Sequence, residues 1–264
     1  FLGYPGTSGS QLIDYIIADK ITIPEESQKF FTEKVIYLPD TYQPNTKKIK
    51  KTNNKFSRSD FGLPNDKFVF CCFNQHQKIS PKMFDIWMNI LKKNHKSILW
   101  LLEDNIFSKK NLIIEAEKRK IKKSRIVFSN RLPLEDHLER IKLADLFLDT
   151  FPYTAHTTCS DAIRSGLPVL TLEGETFASR VASSLLKIMD LDELVTKSIN
   201  EYEKLANNLC NDLDALKKIK QKIQKNLTKS KLFNSKAYTE NLEKGYIKAN
   251  NDFIFNKIKK NIYL

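Results

Sequence analysis

From Lys67 onward the chain alternates two hydrophobic patterns: short continuous apolar runs, and longer segments whose apolar residues return every three or four positions. The run KFVFCCFN (67–74) is aromatic and β-branched and predicts a strand. Residues 81–94 set Met83, Ile86, Trp87, Ile90 and Leu91 on one helical stripe behind a first-turn Pro. SILWLLE (97–103) predicts a second strand, 109–120 a helix and SRIVFSN (124–130) a third strand. Residues 133–144 predict a helix that opens with Pro and acids, and DLFLDT (145–150) a fourth strand. A short helix follows in HTTCSDAIRS, stopped by Gly166, then a fifth strand at 168–172 and a helix over 175–189. After a brief DELVT segment, the pattern from Glu201 is mostly helical to the end, with breaks near Lys229–Ser235.

Alternating β and α elements with continuously apolar strands imply a parallel sheet covered on both faces. The fold class is therefore α/β, a doubly wound, Rossmann-like sheet. Such sheets bind ligands beyond the carboxyl ends of their strands, which directs attention to the loops 74–80, 130–133, 150–158 and 173–176. The first sixty residues differ. Three of the seven glycines lie in Gly3–Gly9, DYIIAD (14–19) and VIYLPD (35–40) look like strands, and 47–55 is a polar, basic linker. This part reads as the tail of a preceding domain. No repeat appears at a period of about 20–50 residues.

Composition narrows the function. No apolar run approaches the roughly 20 residues of a membrane span, so no membrane partner is expected. The start lacks both a signal peptide and a Met, and is expected to lie inside a larger protein. Cys71, Cys72, Cys159 and Cys210 form no CxxC pair; Cys71 and Cys72 are expected to pack as small hydrophobes in a reduced, cytoplasmic protein. A formal net charge of +13 suits an anionic ligand. Nucleic acid is not expected, because the lysines are scattered and no stacking platform or recognition motif accompanies them. The densest run, Lys217–Lys231, reads as the wet face of a helix.

Four segments can carry chemistry. AHTTCSD (155–161) puts Thr157, Thr158, Ser160 and Asp161 in the first turn of a helix that follows a parallel strand, where free N–H groups attract an anion; the plain alternative is N-capping by Thr157. Lys78, in the loop Asn74–Ser80, can reach a phosphate as a point charge, or be a surface lysine. His137 and Arg140 lie three apart on one helix face and can meet a flat base; the alternative is a local network with Asp136 and Glu139. GYPGTSG (3–9) permits close backbone approach but matches neither a dinucleotide loop nor a P-loop. The D-x-D pairs Asp190/Asp192 and Asp212/Asp214 are read as chance, and no GxSxG elbow supports a hydrolase triad around Ser160.

Taken together, LGYPGTSG (2–9), DYIIAD (14–19), PDTY (39–42), FNQHQKISP (73–81), residues 132–162, residues 166–186 and LFNSKAYTENLE (232–243) resemble the catalytic region of the protein O-linked N-acetylglucosamine transferases, bacterial type. The resemblance runs in family order over nearly the whole chain. It implies a GT-B glycosyltransferase: two Rossmann-like domains facing a cleft, with tetratricopeptide repeats upstream. Residues 1–45 would end the N-terminal domain, 46–58 link, 59–225 form the donor-binding domain and 226–264 a closing helical segment, with most of the N-terminal half absent.

The implied reaction transfers N-acetylglucosamine, or another hexose, from a UDP-sugar to Ser or Thr hydroxyls of a protein acceptor, with inversion and without metal or other cofactor. By the same resemblance Gln75 and Lys78 meet the diphosphate, and His156, Thr157 and Thr158 form its loop. Asp161 holds the ribose; the Leu132 backbone, His137 and Arg140 meet uracil; Leu2 and Gly3 fall at the sugar. The family's base falls before Phe1, so this stretch alone is expected to be inactive. Two positions depart from the pattern: Leu134 stands where animal enzymes carry Lys, and Ile163-Arg164 where the family often has Leu-Trp. A non-catalytic UDP-binding module is the other reading.

Overall fold

The computed structural model describes residues 3–256 and 259–264. The chain opens with β1 (Tyr15–Ala18) and β2 (Lys34–Tyr37). It continues through β3 (Phe68–Cys72), α1 (Pro81–Lys93), β4 (Ser97–Leu102), α2 (Ile106–Lys118), β5 (Ile126–Ser129), α3 (Leu134–Arg140) and β6 (Leu146–Leu148). Then come α4 (Thr157–Arg164), β7 (Val169–Leu172), α5 (Val181–Lys187), β8 (Val195–Thr196), α6 (Ile199–Asn211) and α7 (Leu213–Leu227). The end is α8 (Ser235–Asn251) and β9 (Ile262–Tyr263).

Six strands form one sheet in the order β5-β4-β3-β6-β7-β8, every adjacent pair parallel. All residues of β3 and β4 are buried, as expected for strands covered on both faces. Cys71 and Cys72 sit in this interior as unpaired thiols, and burial pushes both thiols up. The chain steps outward from β3 to β5, returns to β6, and steps outward again to β8. The order therefore reverses between β3 and β6, and the loops leaving those two strands border a crevice there.

Helix α1 buries the whole stripe Met83, Ile86, Trp87, Ile90 and Leu91, and Ser80 caps it by accepting from the Met83 N–H at 3.2 Å. On α7 the lysines Lys217, Lys218 and Lys225 are exposed while Leu216 and Ile223 are buried, which is the wet face the charge run implied. Among the described residues no helix is long and apolar enough to cross a membrane.

A second sheet, β1-β2-β9, is also parallel. Alternation sends Ile16, Ala18, Val35 and Tyr37 into the large core shared with the main sheet, while Ile17, Ile36 and Ile262 pack on the other side with Tyr238 and Leu242 of α8. The N-terminal strands thus share a continuous core with the Rossmann-like sheet.

Several boundaries differ from expectation. Helix α2 starts at Ile106 rather than 109, because Asn105 caps it by accepting from Ser108 N–H at 2.9 Å. The segments 133–144 and 175–189 each divide into an α-helix and a 3₁₀ turn. DELVT holds a sixth strand, β8, paired with β7. The closing segment, read as helical, returns to the N-terminal strands as β9; two residues are too few to show a period, and only pairing with Ile36 and Tyr37 defines them.

Candidate functional site

The crevice is built from the ends of β3 and β6. Asn74, just past β3, donates to Asp149 Oδ1 at 3.2 Å and to Thr150 Oγ1 at 2.8 Å, tying the two strand ends together. Asp149 is fully buried and also accepts from the Thr150 and Ala155 N–H groups and from Thr171 Oγ1, each at 2.7 Å. Burial raises its carboxyl to about 6 against these hydrogen bonds. From behind, Tyr202 of α6 donates to the Asp149 carbonyl at 3.0 Å. This scaffold fixes the loop 150–156 that delivers α4. Asn74, Asp149 and Tyr202 were not singled out in the sequence, because each looks like an ordinary polar residue in an apolar run.

Helix α4 begins at the crevice. Its N-cap residue is His156, which makes no side-chain cap bond, and Thr157 is the first helical residue. Thr157 therefore does not N-cap the helix. The Cys159 and Ser160 N–H groups bond the His156 carbonyl, whereas no hydrogen bond among the described residues takes up those of Thr157 and Thr158. The hydroxyls divide as well. Ser160 Oγ donates back to the Thr157 carbonyl at 2.9 Å and Thr158 Oγ1 donates to Asn74 Oδ1, which leaves the exposed Thr157 hydroxyl unengaged among the described residues.

Lys78 points at the same place. Its Nζ donates to the Thr154 carbonyl at 3.0 Å and lies 4.1 Å from the Tyr153 ring centroid. No carboxylate among the described residues forms an ion pair with it. Burial lowers its pKa while the Asp149 charge pulls the other way, so it is a partly desolvated cation whose ammonium meets no carboxylate directly among the described residues. His156 stacks on Tyr153, with ring centroids 4.9 Å apart. Burial first, then the Lys78 charge, holds the His156 imidazole down to about 4, and its buried Nε2 has no hydrogen-bond partner.

Two hollows flank this seat. A cleft of about 260 Å³ is lined by Phe73, Leu132, His137, Arg140, Thr158 and Asp161, among others. Arg140 is 1% exposed, donates to His137 Nδ1 at 3.1 Å and to the Asn130 carbonyl, and lies 4.8 Å from the Phe73 ring centroid. Burial brings Arg140 down to about 10, and burial with the Arg140 charge brings His137 down to about 4. With Nδ1 accepting, His137 carries its proton on Nε2. The acids of α3 serve elsewhere: Asp136 accepts from Thr52 and Asn54, and Glu139 pairs with Lys142. Asp161 is 9% exposed, and burial raises its carboxyl to about 6 while Arg164 pulls the other way.

On the other flank a small hollow of about 40 Å³ is lined by Gly3, Tyr4, Tyr42, Tyr153, His156 and Phe177, with three further residues. Its GYPGTSG rim is fastened by Glu33, which accepts from Thr7 Oγ1 at 2.7 Å and from Ser8 N–H at 2.6 Å. Partial burial would raise the Glu33 carboxyl, but the Ser8 and Thr7 hydrogen bonds outweigh it and hold the group at about 2. A larger hollow of about 580 Å³ opens around Arg58 and Asp145, at the opposite end of the main sheet, away from these loops.

Leu132, His137, Arg140, Thr158 and Asp161 thus meet in one cleft, and Gly3 and His156 in the other hollow, with Lys78 and the start of α4 between them. Gln75 stands apart: it is exposed, and its side chain bonds only Gln77 among the described residues. Leu2 lies outside the described residues. Asp212 serves as the N-cap of α7, accepting from Ala215 N–H at 2.9 Å, which explains one of the D-x-D pairs.

Comparison with known proteins places this arrangement. The probable UDP-N-acetylglucosamine–peptide N-acetylglucosaminyltransferase SEC of Arabidopsis thaliana is 34% identical over 254 residues, covering 94% of this chain and 26% of the relative. A UDP-N-acetylglucosamine–peptide N-acetylglucosaminyltransferase of Caenorhabditis elegans is 41% identical over 187 residues, covering 71% of this chain and 16% of the relative. The structure of a Thermobaculum terrenum O-GlcNAc transferase mutant superposes with a TM-score of 0.85 at 28% identity, covering 94% of this chain and 47% of that one. WaaG, a glycosyltransferase involved in lipopolysaccharide biosynthesis, shares the fold, with a TM-score of 0.63 at 16% identity over 92% of this chain and 64% of that one. The chain spans about a quarter of the length of the Arabidopsis relative. The main sheet has the fold of the C-terminal GT-B domain of an O-GlcNAc transferase. With the family model matching residues 1–48 and 44–242, the chain belongs to glycosyl transferase family 41.

Proposed function

We propose that this chain is the donor-binding part of an inverting transferase that moves N-acetylglucosamine, or another hexose, from a UDP-sugar to Ser or Thr hydroxyls of a protein acceptor. The observation that carries the reading is Lys78, a half-buried ammonium in no ion pair among the described residues, beside the free N–H groups of α4 at the switch point of the sheet. A fixed cation beside a helix N-terminus suits a diphosphate, and the charge on the departing UDP grows as the sugar bond breaks. Thr157 adds an uncharged donor.

In this reading the two hollows receive the two ends of the ligand. The larger has a deep guanidinium, a neutral His137 bearing its proton on Nε2, and the Asp161 carboxyl. These suit the carbonyls of uracil and the hydroxyls of ribose. The smaller, between Gly3 and His156, takes the sugar side. Protein groups alone supply the charge stabilisation in this scheme, so no metal ion is required. Attack by the acceptor hydroxyl on the anomeric carbon, in line with the departing β-phosphate, gives inversion.

In the whole protein, Lys78→Ala is expected to lower kcat by about 10²–10³-fold, the scale of losing one preorganised donor. Turnover within a factor of two or so of wild type, measured with saturating donor, would remove Lys78 from this role.

A further inference from the structure

We infer that Tyr153 is a positioning residue of the phosphate seat: its ring holds the Lys78 ammonium and backs the His156 imidazole before any anion arrives. The inference rests on the donor-site reading above. Lys78 has a long flexible stem, and one carbonyl acceptor, Thr154, does not fix an ammonium with three donors. The second constraint is the Tyr153 ring, whose centroid lies 4.1 Å from Nζ. That is within the range in which a ring quadrupole attracts a cation. The same ring stacks on His156 at 4.9 Å with an interplanar angle of 26°, immediately before the first turn of α4.

One side chain therefore touches both the cation and the residue that begins the anion-binding helix. Tyr153 itself is held by its neighbours, since its carbonyl accepts from Thr150 Oγ1 at 2.7 Å and the next residue, Thr154, bonds Ala178 through both N–H and hydroxyl. No hydrogen bond among the described residues engages the Tyr153 hydroxyl, so the ring, not the O–H, is the working part. The ring is 37% exposed, which makes it a wall of the seat rather than a core residue.

The test is calorimetry with UDP and, separately, uridine as probes, on the wild type, Lys78→Ala, Tyr153→Leu, Tyr153→Phe and the Lys78→Ala/Tyr153→Leu double variant. Tyr153→Leu should weaken UDP about 3- to 30-fold, matching a cation–π contact of roughly 0.5–2 kcal/mol, and leave uridine unchanged. Tyr153→Phe should bind UDP like the wild type. In the Lys78→Ala background the leucine change should cost less than in the wild type, because the part of its effect that passes through the ammonium is gone and only the His156 contact is left to lose. The inference alone is overturned if Tyr153→Leu leaves UDP binding unchanged, costs the same in both backgrounds, or weakens uridine equally. Failure of phenylalanine to restore binding would overturn it too. If wild type does not bind UDP, or Lys78→Ala binds it as wild type does, the donor-site reading falls and takes the inference with it.

Discussion

Asp161 and the two site histidines are shifted in opposite senses by the same cause, burial of the charged form. Asp161 keeps its proton to about 6 in the folded chain, against an ordinary 3.8. Its contribution to stability is therefore present below the ordinary value and is lost as pH rises through about 6. Binding has the opposite sense, since a carboxylate accepts ribose hydroxyls best when ionised. Uridine affinity should thus rise between about pH 5 and about pH 7 and then level off. Calorimetry across that interval should show a flat profile in Asp161→Asn; a slope that persists would transfer the titration to another group, with Asp149 the first to examine. For His137 and His156, held at about 4 against 6.5, stability is present above 6.5 and lost as pH falls through about 4. Denaturant midpoints should fall over that span, and His137→Asn should make the fall shallower.

At the scale of elements, the start of α4 is placed by contacts between strand ends rather than by its own sequence. Asn74 uses its amide N–H groups on Asp149 and Thr150, and its carbonyl on Thr158. Asn74→Ala removes that bridge and leaves buried partners unsatisfied, so a loss of about 1–3 kcal/mol is expected in urea unfolding, together with weaker UDP binding. An unchanged midpoint would show that water replaces the amide. The other end of α4 was legible in the sequence. Gly166 adopts φ +79°, a left-handed turn, and the Leu167 N–H reaches back to the Ala162 carbonyl at 2.9 Å. Close approach at Gly245 was not legible: a Cβ there would meet Ile36 Cγ2 at 2.8 Å, a contact that exists only because α8 lies on the second sheet.

At the scale of the molecule, a buried carboxylate adds a polar latch to the core that the N-terminal strands share with the main sheet. Asp19 follows β1 and accepts from the Ile21, Thr22 and Tyr42 N–H groups at 2.9, 2.8 and 3.0 Å, and from Ser184 of α5 at 2.8 Å. Asp19→Ala should cost about 2–6 kcal/mol, because the Tyr42 and Ser184 donors each lose an acceptor worth roughly 1–3 kcal/mol. A midpoint within experimental error of wild type would dissolve the latch. The chain also closes on itself through β9 and through Tyr238, which donates to the Tyr42 carbonyl at 2.9 Å. Deleting residues 259–264 should speed hydrogen exchange in β1 and β2 while leaving β3 and β4 protected.

The alternation of apolar runs and helical stripes was enough to establish the α/β class and the parallel main sheet, because continuous apolar strands can be satisfied only when both faces are covered. It also marked the loops that carry Lys78 and His156 and the loop that leads into the helix of His137 and Arg140, since ligands lie beyond strand ends in such sheets. What the sequence could not show is which groups remain free once the chain is folded. The hydroxyls of AHTTCSD look alike in one dimension, yet Ser160 and Thr158 are taken by neighbours and Thr157 is not. Lys78 looks like any of the scattered lysines, and only the fold strips it of water and sets its ammonium on a carbonyl and a ring rather than in an ion pair. The Ser160 bond is local, but those of Lys78 and Thr158 reach partners 76 and 84 residues away in the chain, and no local pattern encodes a partner at that distance.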